Sequence, residues 1–344
     1  NHQETDGNEY ESYDASERLD IQGNPQKFMI NDARSSSYFF TKLYGKNKFN
    51  GLMFQYHEQH WDFQTGHGWL FVIPDRPENM REYRRIIALR YAPENEGKKI
   101  NFELTSRFQI HGIDWNMRYF NDGAYQGYYP DGVSEYLNTN AKDLFSRAQA
   151  SYKIGDNNLI LGVENTTFFY NGDKAHYANI DMNTWADPNG QTYFDLNPWL
   201  EFITKKPVYN IAGYAQYISP KFFNRLQITA SGRFDQMFFK YYNLNVTGSP
   251  LTNKKFGMFT PRVAAVMAIT DKISIKAIFG QAFRTPSPTE MFGYNTYSLA
   301  SNIEQLEPEI VTNFDLGIIW NPSSSFNFRL NGFWVNFENQ IAYS

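Results

Sequence analysis

Apolar and polar side chains alternate with a period of two along much of this chain. Between residues 100 and 110 the two sets are Ile100, Phe102, Leu104, Phe108 and Ile110 against Asn101, Glu103, Thr105, Arg107 and Gln109. The same alternation recurs in residues 225–235 and 326–334. Successive side chains of a pleated strand point to opposite faces, so the pattern predicts strands with one apolar and one polar face.

Segments of this kind recur from residue 34 to residue 337. The pattern predicts twelve strands, at about 34–44, 49–60, 83–91, 100–112, 143–152, 159–170, 207–217, 225–238, 257–269, 273–283, 309–320 and 326–337. Most are long enough to cross a bilayer as tilted strands, which takes about 9–11 residues. Pro261 falls inside one of them and is expected at a bulge or a strand end, because proline cannot donate to the ladder.

The connections between these strands alternate between short and long. Short turns are expected at 45–48, 92–99, 153–158, 218–224, 270–272 and 321–325, and long loops at 61–82, 113–142, 171–206, 239–256 and 284–308. Transmembrane barrels have short periplasmic turns and long extracellular loops. The predicted fold is therefore all-β: an antiparallel transmembrane β-barrel, with apolar side chains towards lipid and charges such as Glu103, Arg107, Arg233 and Asp235 towards the lumen.

Composition agrees with a membrane barrel and excludes other classes. Aromatic residues make up 18% of the chain and mean hydropathy is -0.57. These values suit rings placed at an interface and exclude a bundle of membrane-spanning helices. The net charge of -4 carries no basic stripe, so a nucleic-acid partner is not expected. The chain has no cysteine, which excludes disulfides and thiol chemistry.

One stretch of the chain resembles a known family. Residues 279–290 read FGQAFRTPSPTE, and they are followed by LEPE at 306–309 and NFDLG at 313–317. This succession resembles the GxAFRxP and LxPE boxes and the NxELG-like strand of TonB-dependent outer-membrane receptors. Residues 260–263 (TPRV) and 214–217 (YAQY) are similar to two further strands of that family. The resemblance is specific over about 207–337.

The resemblance implies the architecture and role of the whole protein. Members have a 22-stranded barrel plugged by an N-terminal domain, and they import scarce nutrients with energy from the inner-membrane TonB complex. About twelve strands are visible here, so the chain is expected to be an internal part of such a barrel. Residues 1–33 would be an extracellular loop segment and 34–344 the barrel domain, without the plug. The expected location is the bacterial outer membrane, in contact with its lipid, and the TonB complex would act through the plug.

The family boxes are expected to be architectural. The residues concerned are Phe283, Arg284, Pro286, Glu290, Leu306, Pro308 and Glu309. Proline fixes φ where a strand leaves the membrane. Arg284 is expected to tie the loop back through Glu290 and Glu307, since arginine forms charge-assisted hydrogen bonds with carboxylates.

Aromatic residues of the long loops are the candidate ligand contacts. The residues are Tyr125, Tyr128, Tyr129, Trp185, Trp199, Tyr294 and Tyr297, whose rings suit a flat small molecule or a glycan. The haem-uptake branch of the family has a histidine between the two boxes, whereas this chain has none there. His57, His60 and His67 form the one histidine cluster, but His57 and His60 would point to opposite faces of a strand. No metal site, cofactor or catalytic residue is expected, and no enzymatic motif occurs.

Three functions fit these observations. The first is an active outer-membrane importer of a siderophore, vitamin, metal or glycan. The second is a passive pore or a small barrel enzyme. The third is a soluble β-rich carbohydrate-binding module that uses the loop aromatics, in which the apolar faces would form the core.

Overall fold

Twelve long strands and one short one form a single antiparallel sheet in the computed structural model of the chain. The structure describes residues 1–7, 10–13, 19, 22–64, 78–93, 98–124, 129–178, 203–242, 247–248, 250–287, 290–291 and 306–341. The long strands are β4 (Arg34–Tyr44), β5 (Leu52–Gln64), β6 (Asn79–Tyr91), β7 (Ile100–Phe120), β8 (Val133–Ile154), β9 (Asn157–Ala178), β10 (Val208–Ile218), β11 (Leu226–Tyr241), β12 (Thr252–Thr270), β13 (Ile273–Arg284), β14 (Glu309–Ser323) and β15 (Phe326–Glu338). The short strand β1 (His2–Thr5) pairs with β4, and each long strand pairs with the next.

All twelve predicted strands are confirmed, and three of them are longer than predicted by at least eight residues. β7, β8 and β9 have 21, 22 and 22 residues, and they extend into segments that were expected to be loop. Beyond the lipid the outward face need not be apolar, so the alternation no longer marks a strand there, yet the backbone ladder continues. Asp114 pairs with Asn138 in this polar upper part of the hairpin.

Connections alternate between short and long, as predicted. The short ones are residues 45–51, 92–99, 155–156, 219–225, 271–272 and 324–325, and the long ones are 65–78, 121–132, 179–207, 242–251 and 285–308. The first short one contains a 3-10 turn at Asn47–Phe49. Long and short connections therefore lie at opposite ends of the sheet, because adjacent strands are antiparallel.

The apolar face of the sheet is exposed. Directly paired residues of neighbouring strands share a face, and the register places Val163, Phe234 and Phe259 on one such face. Val163 is 60% exposed and Phe259 59%. A soluble sheet would bury this face, so its exposure is inconsistent with a soluble carbohydrate-binding module and agrees with lipid contact.

The described residues form a partial barrel. Within them no pairing joins β15 to β1, so the sheet is an open arc. Among the described residues, no helix has the length and apolar character needed to cross a membrane.

The first 33 residues contain more than the expected loop. β2 (Tyr10–Tyr13) and β3 (Lys27–Ile30) pair as a separate hairpin, and β1 adds to β4 beside Arg34–Ser37. Phe28 and Ile30 form a small buried cluster. These strands are held together by backbone pairing. With four residues each, they are too short for an alternating pattern to reveal them.

The prediction for Pro261 was wrong in its detail. Pro261 pairs with Gly232 of β11 inside β12, and no register shift occurs there. Pairing of β12 with β13 begins at Arg262, so the described part of β12 before that residue has a partner on one side. The missing amide of proline is tolerated because this part of β12 is locally an edge.

Candidate functional site: the lumen wall and the loop anchored at its mouth

Charged side chains on the inward face pair with one another across strands β6, β7 and β8. The carboxylate of Glu103 accepts hydrogen bonds from Arg90 Nη2 and Arg147 Nη2, each at 2.7 Å, and from Thr105 Oγ1 at 3.1 Å. Arg107 Nη2 lies 3.2 Å from Asp143 Oδ1. Inward-facing charges were predicted from the alternation, and their pairing keeps them satisfied inside the barrel.

A second inward network is centred on Arg233 of β11. Its guanidinium donates to Glu164 Oε2 at 2.5 Å and to the two oxygens of Asp235 at 2.7 and 2.8 Å. Asn210 Nδ2 also donates to Asp235, at 3.0 Å. Asp235 is 3% exposed, so its charge depends on these partners.

Tyr214 of β10 forms a long cross-strand hydrogen bond by crossing a glycine. Its hydroxyl donates to Gln149 Oε1 at 2.7 Å, two strands away. A Cβ placed at Gly162, on the strand between them, would lie 2.2 Å from Tyr214 Cζ. Only glycine at that position leaves room for the ring.

Arg284 anchors the start of the long loop 285–308. Its Nη1 donates to both carboxylate oxygens of Glu290, each at 3.1 Å, and its Nε donates to Glu309. The expected pairing with Glu290 is confirmed. The expected partner Glu307 is wrong: Glu309 is directly opposite Arg284 in the β13–β14 register, whereas Glu307 accepts a 3.4 Å hydrogen bond from Asn339.

A capping box holds Glu290 in place. Its carboxylate accepts from the Ser287 amide at 2.6 Å, and the Ser287 hydroxyl accepts from the Glu290 amide at 3.2 Å. This reciprocal S-x-x-E arrangement satisfies the amides of a tight turn. Pro286, just before it, is fully buried. The turn therefore leaves the strand in a fixed direction.

Beyond that turn the chain packs onto the inward face of the sheet. Met291 is 0% exposed and lies in an apolar cluster with Ile203, Phe239, Tyr241 and Phe256. The register places Phe239, Tyr241 and Phe256 on the same face as Arg233. Leu306 packs against the cluster from the other end of the loop. Both described ends of the loop thus meet the inner wall at the end of the sheet that carries the long connections.

A buried polar network braces the upper part of the β7–β8 hairpin. Arg118 donates to Ser134 Oγ at 2.8 Å and to Asp122 Oδ1 at 2.7 Å, and its amide donates to Glu78. Trp115 Nε1 donates to Glu135 Oε1 at 3.1 Å, and Glu135 is 0% exposed. A buried charge of this kind is retained only when it is hydrogen-bonded.

Most of the predicted ligand-contacting aromatics lie outside the described residues. These are Tyr125, Tyr128, Trp185, Trp199, Tyr294 and Tyr297. Tyr129 is described: it is 3% exposed, and its ring stacks on Phe120 at 5.0 Å between centroids. Its ring therefore has a packing partner in the protein.

Two further residues of the family boxes lie in or beside the strands. Phe283 lies on the outward face in register with Ile310, and Pro308 is buried. The histidines behave as the strand pattern requires: His57 meets Tyr38 on the inward face, and His60 bonds Glu58 at 2.8 Å on the other. His67 lies outside the described residues.

Two features were not predicted from the sequence: the Tyr214–Gln149 hydrogen bond that crosses Gly162 and the packing of Met291 in the apolar cluster. The sequence carried a signal for the hydrogen bond, because Gly162 and Tyr214 share a face once β9 and β10 are in register. The packing position of Met291 had no such signal, since it depends on the direction in which the turn at Pro286 leaves the strand.

Comparisons with known proteins agree with this architecture. The family model described as "TonB dependent receptor-like, beta-barrel" matches residues 1–344. Comparison with curated protein sequences found no match. Among solved structures, the copper transporter OprC aligns with a TM-score of 0.62 at 15% identity, over 94% of this chain and 47% of that one.

Two further structures have the same fold. The Serratia marcescens hemophore receptor HasR, solved with its hemophore HasA and heme, has a TM-score of 0.61 at 10% identity, covering 98% of this chain and 50% of that one. The ferric yersiniabactin uptake receptor FyuA of Yersinia pestis has a TM-score of 0.56 at 11% identity, covering 96% of this chain and 49% of that one. The chain thus spans about half the length of these structures. It belongs to the TonB-dependent receptor family, as part of the β-barrel that these proteins place in the bacterial outer membrane.

Proposed function

We propose that this chain is part of the barrel of an outer-membrane active transporter that imports a scarce nutrient. The observation that carries the proposal is the anchored loop: Arg284, Glu290 and Glu309 fix its start, and Met291 packs on the inner wall. A loop held at the mouth of a lumen lined with paired charges can meet a ligand from outside and pass it inward. Residues 34–344 are the barrel domain in this proposal, and residues 1–33 belong to an extracellular segment.

The proposed cargo is a siderophore, a metal, a vitamin or a glycan. OprC is a copper transporter, FyuA is a ferric yersiniabactin uptake receptor, and HasR was solved with heme, so metal-containing cargo is the first to test. The aromatic loop residues Tyr125, Tyr128, Trp185, Trp199, Tyr294 and Tyr297 remain candidate contacts, because rings stack on planar ligands and sugars. We propose no cofactor and no enzymatic activity.

Growth of a deletion strain tests the cargo. The strain is grown with a single iron, copper, vitamin or glycan source, and growth on one source should fail and return when the whole receptor is supplied. A strain that grows normally on every source would refute the proposed import. The Arg284→Met receptor should restore growth less well than Glu307→Gln, because Glu307 contacts the anchor region through one long hydrogen bond.

Energy dependence separates active import from the passive pore. In the proposal, the TonB complex acts on a plug domain of the whole receptor, so uptake of the identified nutrient should stop when TonB is deleted or the proton gradient is dissipated. Uptake that persists under both conditions would favour the passive pore.

A further inference from the structure

The outward face of strands β5 to β9 changes from apolar to charged within a few residues. Going up β6, its outward residues are Leu89, Ile87, Arg85 and Tyr83. On β8, two strands away, the same rows hold Ser146, Leu144, Lys142 and Asn140. Charged side chains on the lipid-facing side of a barrel are costly at the bilayer midplane and tolerated near its interfaces. The row of Arg85 and Lys142 therefore marks the height of lipid headgroups.

A depression of about 440 Å³ opens on this row. Beside it, the Tyr83 ring lies over Gly112 of β7, where a Cβ would come within 2.2 Å of the ring. Asn140 Nδ2 donates to the Tyr83 hydroxyl at 2.5 Å and fixes the ring. The lining includes His60, Tyr83, Arg85, Asn140, Lys142 and Asn171, which are donors on a face that otherwise meets lipid.

Two cations of the depression keep donors available. Arg85 binds Glu58 through Nε at 2.6 Å, while its Nη atoms have no hydrogen-bond partner among the residues the structure describes. Lys142 is exposed and forms no ion pair within the same residues. Both residues flank Ile110 in the register. They are separated by two strand spacings, about 10 Å, so one phosphorylated headgroup can reach both.

A groove of about 540 Å³ lies below the depression on the same strands. Its floor is made of the small residues Ser106, Ser146 and Ala148, and Leu104 and Val163 border it. The hydroxyls of Ser106 and Ser146 lie 3.2 Å apart and satisfy each other, so the floor presents little unpaired polarity to hydrocarbon. Ser106 is four residues below Ile110 on β7, which is about 13 Å along a strand.

We propose that this surface binds one anionic lipid of the outer leaflet. Its phosphorylated headgroup sits in the depression against Arg85 and Lys142, and one of its acyl chains lies in the groove over Ser106 and Ser146. A lipid is favoured over a protein partner because the two sites have the order and height of a lipid in the bilayer: donors at the headgroup level and an apolar groove directly beneath. Charge complementarity selects the anionic headgroup.

Lipid retention by the whole receptor tests the assignment. The receptor is purified in detergent, incubated with lipid A or with neutral phosphatidylcholine, and analysed by native mass spectrometry. The parent receptor should retain lipid A preferentially. The double variant Arg85→Gln/Lys142→Gln should retain at least about 10-fold less lipid A than the parent, since two charge-assisted contacts are lost. Lys240→Gln is the matched control: Lys240 is also exposed, on the outward face of β11 in register with Asn253, outside the depression.

The groove is tested separately with Ser146→Leu, which fills its floor and leaves both cations in place. This variant should also retain less lipid A than the parent. Heat-modifiable mobility on gels confirms that each barrel is folded before retention is measured. Equal retention of lipid A and phosphatidylcholine by the parent, or retention by the double variant equal to that of Lys240→Gln, would overturn the proposal.

Discussion

The ring of Tyr214 lies directly over Gly162 of the adjacent strand, where a Cβ would come within 2.2 Å of Cζ. This contact lets the tyrosine hydroxyl reach Gln149 on the next strand at 2.7 Å. A single hydrogen bond thus spans three strands of the inner wall. It also makes the wall sensitive to the size of one side chain.

Gly162→Val should destabilise the barrel by about 1–3 kcal/mol, because the added side chain displaces the Tyr214 ring in a packed site. The measurement is denaturant unfolding of the detergent-solubilised receptor followed by tryptophan fluorescence. Gly213→Val is the control, since nothing lies within 4 Å of a Cβ placed at Gly213. Equal unfolding midpoints for the two variants would show that the Tyr214 crossing contributes nothing.

Arg233→Met should destabilise the barrel by about 2 kcal/mol or more, because it leaves the carboxylates of Glu164 and Asp235 without their cation. Asp235 is nearly inaccessible to water, with 3% exposure. The matched variant is Arg107→Met, whose single pair with Asp143 is longer, at 3.2 Å, and more exposed. It should change the same unfolding midpoint much less. A reversed order of the two variants would contradict the assignment of Arg233 as the centre of its network.

Much of the fold is predictable from the sequence because lipid imposes a strict rule on each strand. A residue such as Val163 must be apolar while its neighbour Glu164 faces the lumen, and this alternation reveals the strand. The rule ends above the membrane, which is why the polar upper part of β7 around Asp114 was predicted as loop. The ion-pair partner of Arg284 could not be predicted either. Glu307 and Glu309 are equivalent candidates in the sequence, and only the strand register shows that Glu309 lies opposite Arg284.

Arg284→Met should release the loop 285–308 with little change in global stability. The Arg284 side chain is 50% exposed, and exposed ion pairs contribute at most about 1 kcal/mol. The loop loses the contact that positions Glu290, however, so limited proteolysis should cut within it several times faster. Glu307→Gln should leave the cleavage rate unchanged. If Arg284→Met resists protease as well as the parent does, packing of Met291 is sufficient to hold the loop.

The sidedness of the barrel is testable because this chain contributes no cysteine of its own. Leu251 is exposed in the long connection before β12, and Asp156 is exposed in the two-residue turn between β8 and β9. Long loops face outward and short turns face the periplasm in barrels of this class. A membrane-impermeant maleimide should therefore label Leu251→Cys on intact cells, and it should label Asp156→Cys only after the outer membrane is permeabilised. Labelling of Asp156→Cys on intact cells, with Leu251→Cys protected, would show that the barrel has the opposite orientation in the membrane. It would also place the Arg284 anchor on the periplasmic side, where it could not meet an external ligand.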